Sequence, residues 1–81
     1  MVKVKVFSTL REITKKSEFN IEAKDINELV KKCSKIYGKE FKGQLKYSSI
    51  VLNGRDIRHL KGSIKLSSGD EVSILPPAGG G

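Results

Sequence analysis

The sequence predicts a single α+β domain in which one main helix covers one face of a mixed sheet of about five strands. Three observations lead to this prediction. The chain has 81 residues and a mass of 9.0 kDa, which is enough for one small core. Several short stretches alternate apolar and polar residues, as half-buried strands do. One longer stretch instead repeats its apolar residues every three or four positions, as an amphipathic helix does.

Two strands are predicted in the first 22 residues. Residues 1–7 alternate with a period of two, so that Val2, Val4 and Val6 share one face. Residues 8–16 show no clear period, and we expect a turn or short loop there. Residues 17–22 alternate again, and the two strands are expected to form a hairpin.

The main helix is predicted from about Asp25 to Tyr37. Asp25 can act as the N-cap, and Glu28 stands three residues later, as in a capping box. Gly38 is expected to end the helix in the left-handed conformation. The apolar stripe that should face the sheet consists of Ile26, Leu29, Val30, Cys33, Ile36 and Tyr37.

The remaining strands are predicted from apolar runs and turn signals. Residues 39–46 should form a connecting loop that places Phe41 and Leu45 in the core. Residues 49–52 and 55–58 flank Asn53-Gly54, a strong hairpin signal, and residues 71–75 form the last strand. The resulting order, β-β-α-β-β-β, fits the β-grasp arrangement, in which the first and last strands lie side by side and parallel.

The end of the sequence stands apart from the domain in composition. We predict a β-grasp domain over residues 1–75 and a flexible tail over residues 76–81. The two prolines favour an extended exit from the last strand, whereas the three glycines have no Cβ and suit a narrow tunnel in another protein. The six tail residues, which can reach at most about 20 Å, are Pro76, Pro77, Ala78, Gly79, Gly80 and Gly81.

Residues 51–58 (VLNGRDIR) and 68–81 (SGDEVSILPPAGGG) together resemble the sulfur-carrier branch of the ubiquitin-like proteins. The similarity is greatest to the small subunit of molybdopterin synthase and to archaeal relatives that also modify proteins. It implies that an E1-like enzyme adenylates the Gly81 carboxylate with ATP, and that a sulfur donor protein converts it to a thiocarboxylate. The implied partners therefore also include the large subunit of molybdopterin synthase.

The resemblance implies a carrier subunit of a sulfurtransferase, not a catalyst that works alone. No phosphate-binding loop of the Walker type is present, so ATP is expected to be used by the partner and no cofactor to be bound by this chain. We expect Leu75 and the exposed sheet near it to form an apolar docking patch with the tail. Arg55 and Arg58 are further docking candidates.

Other functions remain open from the sequence. Ile74-Leu75 stands where molybdopterin synthase small subunits usually have an aromatic residue before Pro-Pro, which leaves thiamine, cysteine or tRNA thiolation open. The same tail also suits a modifier that is conjugated to lysines through Gly81. The net charge of +7 raises a third hypothesis, RNA binding, but the lysines are scattered along the chain and no aromatic residues alternate with them.

Several classes of protein are disfavoured by composition. The single cysteine, Cys33, excludes an intrachain disulfide framework and a metal site built from cysteines, and its place on the apolar stripe predicts a core residue. The apolar runs are too short to span a membrane, and the sequence opens without an apolar signal region. We therefore expect a cytoplasmic protein without membrane partners.

Overall fold

The computed structural model describes residues 1–60 and 62–76 of the chain. Five strands form one mixed sheet in the order β2-β1-β5-β3-β4. The elements are β1 (Val2–Val6), α1 (Ser8–Thr14), β2 (Glu18–Ile21), α2 (Ile26–Tyr37), α3 (Lys39–Leu45), β3 (Ser49–Leu52), β4 (Arg55–Asp56), a 3-10 turn (Ile57–His59) and β5 (Glu71–Leu75). β1 and β5 pair in parallel and the other neighbours are antiparallel, which confirms the predicted β-grasp arrangement.

The sheet buries the face that the alternation in the sequence predicts. The valines of β1 are at most 1% exposed, and Val72 and Ile74 of β5 are completely buried beside them. Each such aliphatic side chain stabilises the fold by about 1.5–3 kcal/mol relative to an exposed position. The two central strands thus provide the base of the core.

The helix α2 packs against this face and begins as predicted. The Asp25 carboxylate accepts a hydrogen bond from the Glu28 backbone N–H at 2.7 Å, and the Glu28 carboxylate accepts one from the Lys24 N–H at 2.8 Å. These two bonds satisfy N–H groups that the first turn of a helix leaves unpaired. Leu29 and Cys33 are completely buried, so α2 contributes its inner face to the core.

Two details of α2 differ from the prediction. Ile36 is 63% exposed, since it lies at the edge of the apolar stripe in the last turn of the helix. Gly38 has φ 88° and ψ −166°, which is outside the left-handed helical region that a C-terminal glycine usually adopts. Its carbonyl instead accepts the Lys42 N–H at 3.1 Å, so this residue leads directly into α3.

Two short helices replace the predicted loops. Residues 8–14 form α1, which buries Leu10 and Thr14 on one side. Residues 39–45 form α3, which buries the expected Phe41 and Leu45 one turn apart. Helices of seven residues are unstable alone, so burial of these side chains in the core must hold them.

The second hairpin has the predicted turn but is shorter than predicted. Asn53 and Gly54 both have positive φ, 48° and 85°, as the two central residues of a type I′ turn require. The return strand ends at Asp56 instead of continuing to residue 58. The reason is local, because the Asp56 carboxylate accepts the Arg58 backbone N–H at 2.9 Å and caps the 3-10 turn.

None of the helices in residues 1–60 and 62–76 has the length and apolar character needed to cross a membrane.

Candidate functional site: the tail root

The predicted reactive tail begins where β5 ends. Leu75 is the last residue of β5, and Pro76, which is partly buried, follows it. The predicted tail residues from Pro77 to Gly81 lie outside the residues that the structure describes. The site can therefore be described up to its root, meaning the end of β5 and the residues around it.

The root is held by the centre of the sheet. β5 is hydrogen-bonded to β1 on one side and to β3 on the other. Ile74 is completely buried between Val6 and Ile50, its partners in register on the two neighbouring strands. Pro76, two residues later, therefore follows a fixed point of the sheet, which reduces the conformational freedom that a partner has to restrict on binding.

Three exposed apolar residues lie around this point, and we call them the tail-root patch: Phe7, Tyr47 and Leu75. Phe7 and Leu75 are each 38% exposed, and Tyr47 is 72% exposed. Leu75 is paired in register with Ser49, two residues after Tyr47. Phe7 follows Val6, whose register partner Ile74 precedes Leu75. The sequence pattern pointed to Leu75 alone. Strand register places Phe7 beside it, and Tyr47 lies in the turn that leads into β3, the strand paired with Leu75.

The open face of the sheet carries charges that pair with one another. Lys5 forms an ion pair with Glu71 at 3.1 Å, and Lys3 forms one with Glu18 at 3.6 Å. All four side chains remain about 40–50% exposed, so each pair contributes little to stability. The lysines of β1 are therefore balanced by neighbouring carboxylates, and this face is not a strongly basic surface.

The two predicted docking arginines lie at a distance from the tail root. Arg55 and Arg58 are exposed, but β4 is the edge strand and β3 separates it from β5. Arg58 also forms a forked pair with the Asp56 carboxylate, with its shortest contact at 2.7 Å. The hydrogen bond and the charge of Asp56 raise the pKa of the Arg58 guanidinium. The structure thus brings Leu75 to the root of the tail and places the arginines on another part of the surface.

The Asn-Gly turn and the Gly-Asp-Glu-Val stretch hold the opposite end of β5. The Asn53 side-chain oxygen accepts the Glu71 N–H at 2.9 Å, and its amide donates to the Asp70 carboxylate at 3.1 Å. Asp70 also accepts the Ser67 N–H at 2.7 Å. This backbone hydrogen bond and the one from Asn53 lower the pKa of Asp70. Both motifs therefore fix the start of β5, while the tail leaves from its end.

The described residues offer no evident catalytic group of their own. Burial raises the pKa of the Cys33 thiol to about 12, so this thiol is a poor nucleophile. No group of three or more histidine, cysteine, aspartate or glutamate residues that could hold a metal ion occurs in the part of the chain that the structure describes. A shallow groove of about 780 Å³ lies between the helices and is lined by charges of both signs, including Glu12, Lys15 and Lys39. Up to Pro76 the structure therefore shows a strand end with exposed apolar residues around it.

Comparisons with known proteins agree with this geometry. A protein of Archaeoglobus fulgidus, named as a candidate sulfur carrier, is 38% identical and covers 79% of this chain and 82% of its own. The solution structure of small archaeal modifier protein 1 from Methanosarcina acetivorans superposes with a TM-score of 0.80 at 30% identity, and the match covers 99% of this chain and 95% of that one.

A second solved structure extends the likeness. It is the complex of subunits 1 and 2 of the molybdopterin-converting factor from Helicobacter pylori. The match has a TM-score of 0.72 at 32% identity and covers 99% of this chain and 97% of that one. The model of the ThiS family matches residues 4–81, which is nearly the whole chain. The chain therefore belongs to the ThiS family of ubiquitin-like, β-grasp sulfur carriers.

Proposed function

We propose that this protein carries sulfur on the carboxylate of Gly81, as the small subunit of a molybdopterin synthase. The observation that carries the proposal is the Pro-Pro-Ala-Gly-Gly-Gly sequence placed directly after a central, buried strand. Ile74 anchors that strand in the core, and Leu75 is the last strand residue before the tail. A tail that starts at an anchored strand and ends in residues without side chains is suited to insertion into the active sites of other proteins.

The chemistry requires a partner at each step. A Gly81 carboxylate oxygen attacks the α-phosphorus of ATP in the E1-like enzyme, which forms an acyl-adenylate and releases pyrophosphate. The sulfur of a donor then attacks the Gly81 carbonyl carbon, and AMP leaves with the electron pair of the broken C–O bond. When the donor supplies the sulfur as a persulfide, this attack gives an acyl disulfide. A second thiol then attacks the donor's sulfur, which forms a disulfide with the donor and releases the thiocarboxylate, a soft nucleophile. Glycine at this position leaves the carbonyl accessible, since it has no side chain.

The pterin pathway is the narrower part of the proposal. It is supported by the likeness to a chain in the complex of the two molybdopterin-converting subunits from Helicobacter pylori. In that role, a large subunit would bind the tail-root patch and receive the thiocarboxylate next to its substrate. Phe7, which is 38% exposed beside Leu75 in the strand register, supplies an aromatic ring near the tail although residue 75 itself is leucine.

Intact-mass spectrometry tests the proposal directly. The chain is incubated with an E1-like enzyme, ATP and a sulfur donor, and the mass should rise by the difference between sulfur and oxygen. Two matched controls are a chain that lacks residues 79–81, which removes all three terminal glycines, and a chain with one alanine added after Gly81. Neither control should gain mass under adenylating conditions that charge the native chain. An unchanged mass of the native chain, with an enzyme that is active on its own carrier, would contradict the proposal.

A second candidate function is conjugation of Gly81 to lysines of other proteins. The likeness to small archaeal modifier protein 1 of Methanosarcina acetivorans favours it. Both functions need the same adenylate and differ in the nucleophile that attacks it, sulfur in one and a lysine amine in the other. Denaturing gels of cell extract probed for this chain distinguish them, because only a modifier forms bands of high mass that survive reduction.

A further inference from the structure

The positive charge of the chain is concentrated in one segment. Residues 31–46 contain six lysines and one acidic residue, Glu40, which gives a net charge of +5 out of +7 for the whole chain. Along the whole chain the lysines are scattered, but this segment holds six of them. The structure places this segment on α2 and α3, which follow one another around Gly38.

Three of these lysines form one surface, which we call the lysine face: Lys39, Lys42 and Lys46. Their spacing of three and four residues puts them on the same side of α3. All three are exposed, and together they line a depression of about 270 Å³ at Gly43. Among the residues that the structure describes, the cations in ion pairs are Lys3, Lys5 and Arg58. The lysine face is therefore left without carboxylate partners there.

Gly43 lies at the middle of this face, and neither lack of space nor backbone conformation requires a glycine at this position. A Cβ added at Gly43 would meet no atom within 4 Å, and its φ is not positive. Glycine in a helix is less stable than alanine because it loses more conformational freedom on folding. Because glycine has no side chain, it leaves the helix backbone uncovered at this position. Another molecule can therefore approach the backbone between the three lysine ammonium groups.

The lysine face continues into the tail-root patch. Lys46 directly precedes Tyr47, which belongs to that patch and is 72% exposed. Ser49, three residues after Lys46, is paired with Leu75 at the end of β5. A molecule that covers Tyr47 at the root of the tail therefore lies next to Lys46, the last residue of the lysine face.

We propose that the lysine face binds an acidic segment of the E1-like enzyme that charges the tail. Carboxylates of that segment occupy the depression at Gly43, next to the three ammonium groups. The tail-root patch forms the apolar centre of the same interface, and the tail extends from it into the enzyme. Such an arrangement follows the usual anatomy of protein interfaces, in which charged groups surround an apolar centre and speed association. This inference rests on the proposed function.

Nucleic acid fits the lysine face less well. The face extends about 10 Å along α3, from Lys39 to Lys46, and it offers three cations, whereas well-studied DNA-binding proteins contact about 6–10 phosphates. Single-stranded nucleic acid also needs aromatic rings on which bases stack. Phe41, the aromatic residue of α3, is completely buried, and Tyr47 is the one exposed ring that the described residues place next to the face, whereas a stacking platform uses several rings. A compact acidic segment of a protein matches the size and charge of the face.

Adenylation kinetics test the proposal. The native chain is compared with Lys39→Glu/Lys42→Glu/Lys46→Glu and with a control of equal charge change, Lys16→Glu/Lys24→Glu/Lys65→Glu, in ATP–pyrophosphate exchange by the E1-like enzyme. We expect the lysine-face variant to raise the KM for the carrier roughly tenfold or more, with kcat unchanged. The control should stay within about twofold, since charges distant from an interface act weakly at physiological salt. Thermal unfolding shows that each variant is folded.

Gly43→Leu provides a test that leaves all charges in place. Leucine is a better helix former than glycine, so this variant should unfold at a higher temperature. Its side chain fills the depression, so KM for the carrier should still rise. If Gly43 had only a structural role, a more stable variant would bind the enzyme as well as the native chain does. An unchanged KM for Gly43→Leu would therefore contradict the proposed use of the depression.

The outcomes separate this inference from the proposed function. If the native chain is not adenylated at all, the proposed function fails. If the native chain is adenylated and the lysine-face variant matches its control, the lysine face is not the binding surface. Total tRNA at physiological salt serves as the nucleic-acid probe in a gel-shift assay. Loss of tRNA binding in the lysine-face variant, with adenylation unchanged, would overturn the acidic segment in favour of nucleic acid.

Discussion

The burial of Cys33 predicts a loss of stability at alkaline pH. The residue is completely buried, and burial raises the pKa of its thiol from 9.0 to about 12. Between these two pKa values the unfolded chain has lost the thiol proton while the folded chain keeps it, so unfolding releases a proton. The free energy of unfolding therefore falls by about 1.4 kcal/mol per pH unit in this window. Below the lower pKa both states are protonated, and the contribution does not change with pH.

Urea unfolding of the native chain and of Cys33→Ala measures the effect. The other ionisable groups are the same in both proteins, so the comparison isolates Cys33 together with its electrostatic coupling to Tyr37. Between pH 8 and pH 10.5 the native chain should lose about 2 kcal/mol relative to the variant. If the difference in free energy of unfolding between the native chain and the variant does not change with pH, the thiol ionises as readily in the folded protein as in the unfolded chain. That result would refute the burial argument, and with it the conclusion that the Cys33 thiol is a poor nucleophile.

Two further predictions concern the elements that frame the site. Asn53→Ala should be about 1 kcal/mol less stable than Asn53→Gly, because both lose the side-chain hydrogen bonds to Asp70 and Glu71 but only alanine is strained at φ 48°. Urea unfolding measures this, and the usual order, with glycine the less stable, would contradict the turn geometry. Phe41→Ala should cost about 3–5 kcal/mol and Phe41→Leu clearly less, since Phe41 is completely buried and its ring lies 5.3 Å from that of Tyr37. Thermal unfolding measures both, and equal melting temperatures for the two variants would show that the volume of the ring does not hold α3.

The parts of the fold that sequence predicted are those encoded by close neighbours. The alternation in β1 and β5 reports which side chains are buried, and the strand pairing confirms it. The N-cap at Asp25 and the turn at Asn53-Gly54 are each specified by a few adjacent residues. Such signals do not depend on the rest of the molecule, which is why they could be recognised in the sequence.

The short helices were missed because their stability comes from elsewhere. α1 has seven residues and few apolar positions, and Leu10 is buried because it joins the core formed by the sheet and the other helices. α3 has a glycine within it and is held by Phe41 and Leu45. A helix this short shows too little periodicity to be distinguished from a loop, and tertiary packing decides its conformation.

The amino-acid sequence by itself determined the strands, the main helix and the chemical character of the tail, because alternation, capping and glycine content act over a few residues. Only the tertiary structure decided which surfaces adjoin that tail. The register of β1 and β3 on β5 brings Phe7 and Tyr47 toward Leu75, and the helical turn of α3 gathers Lys39, Lys42 and Lys46. Residues far apart in the chain become neighbours through backbone pairing and core packing, and a local sequence pattern does not predict such contacts.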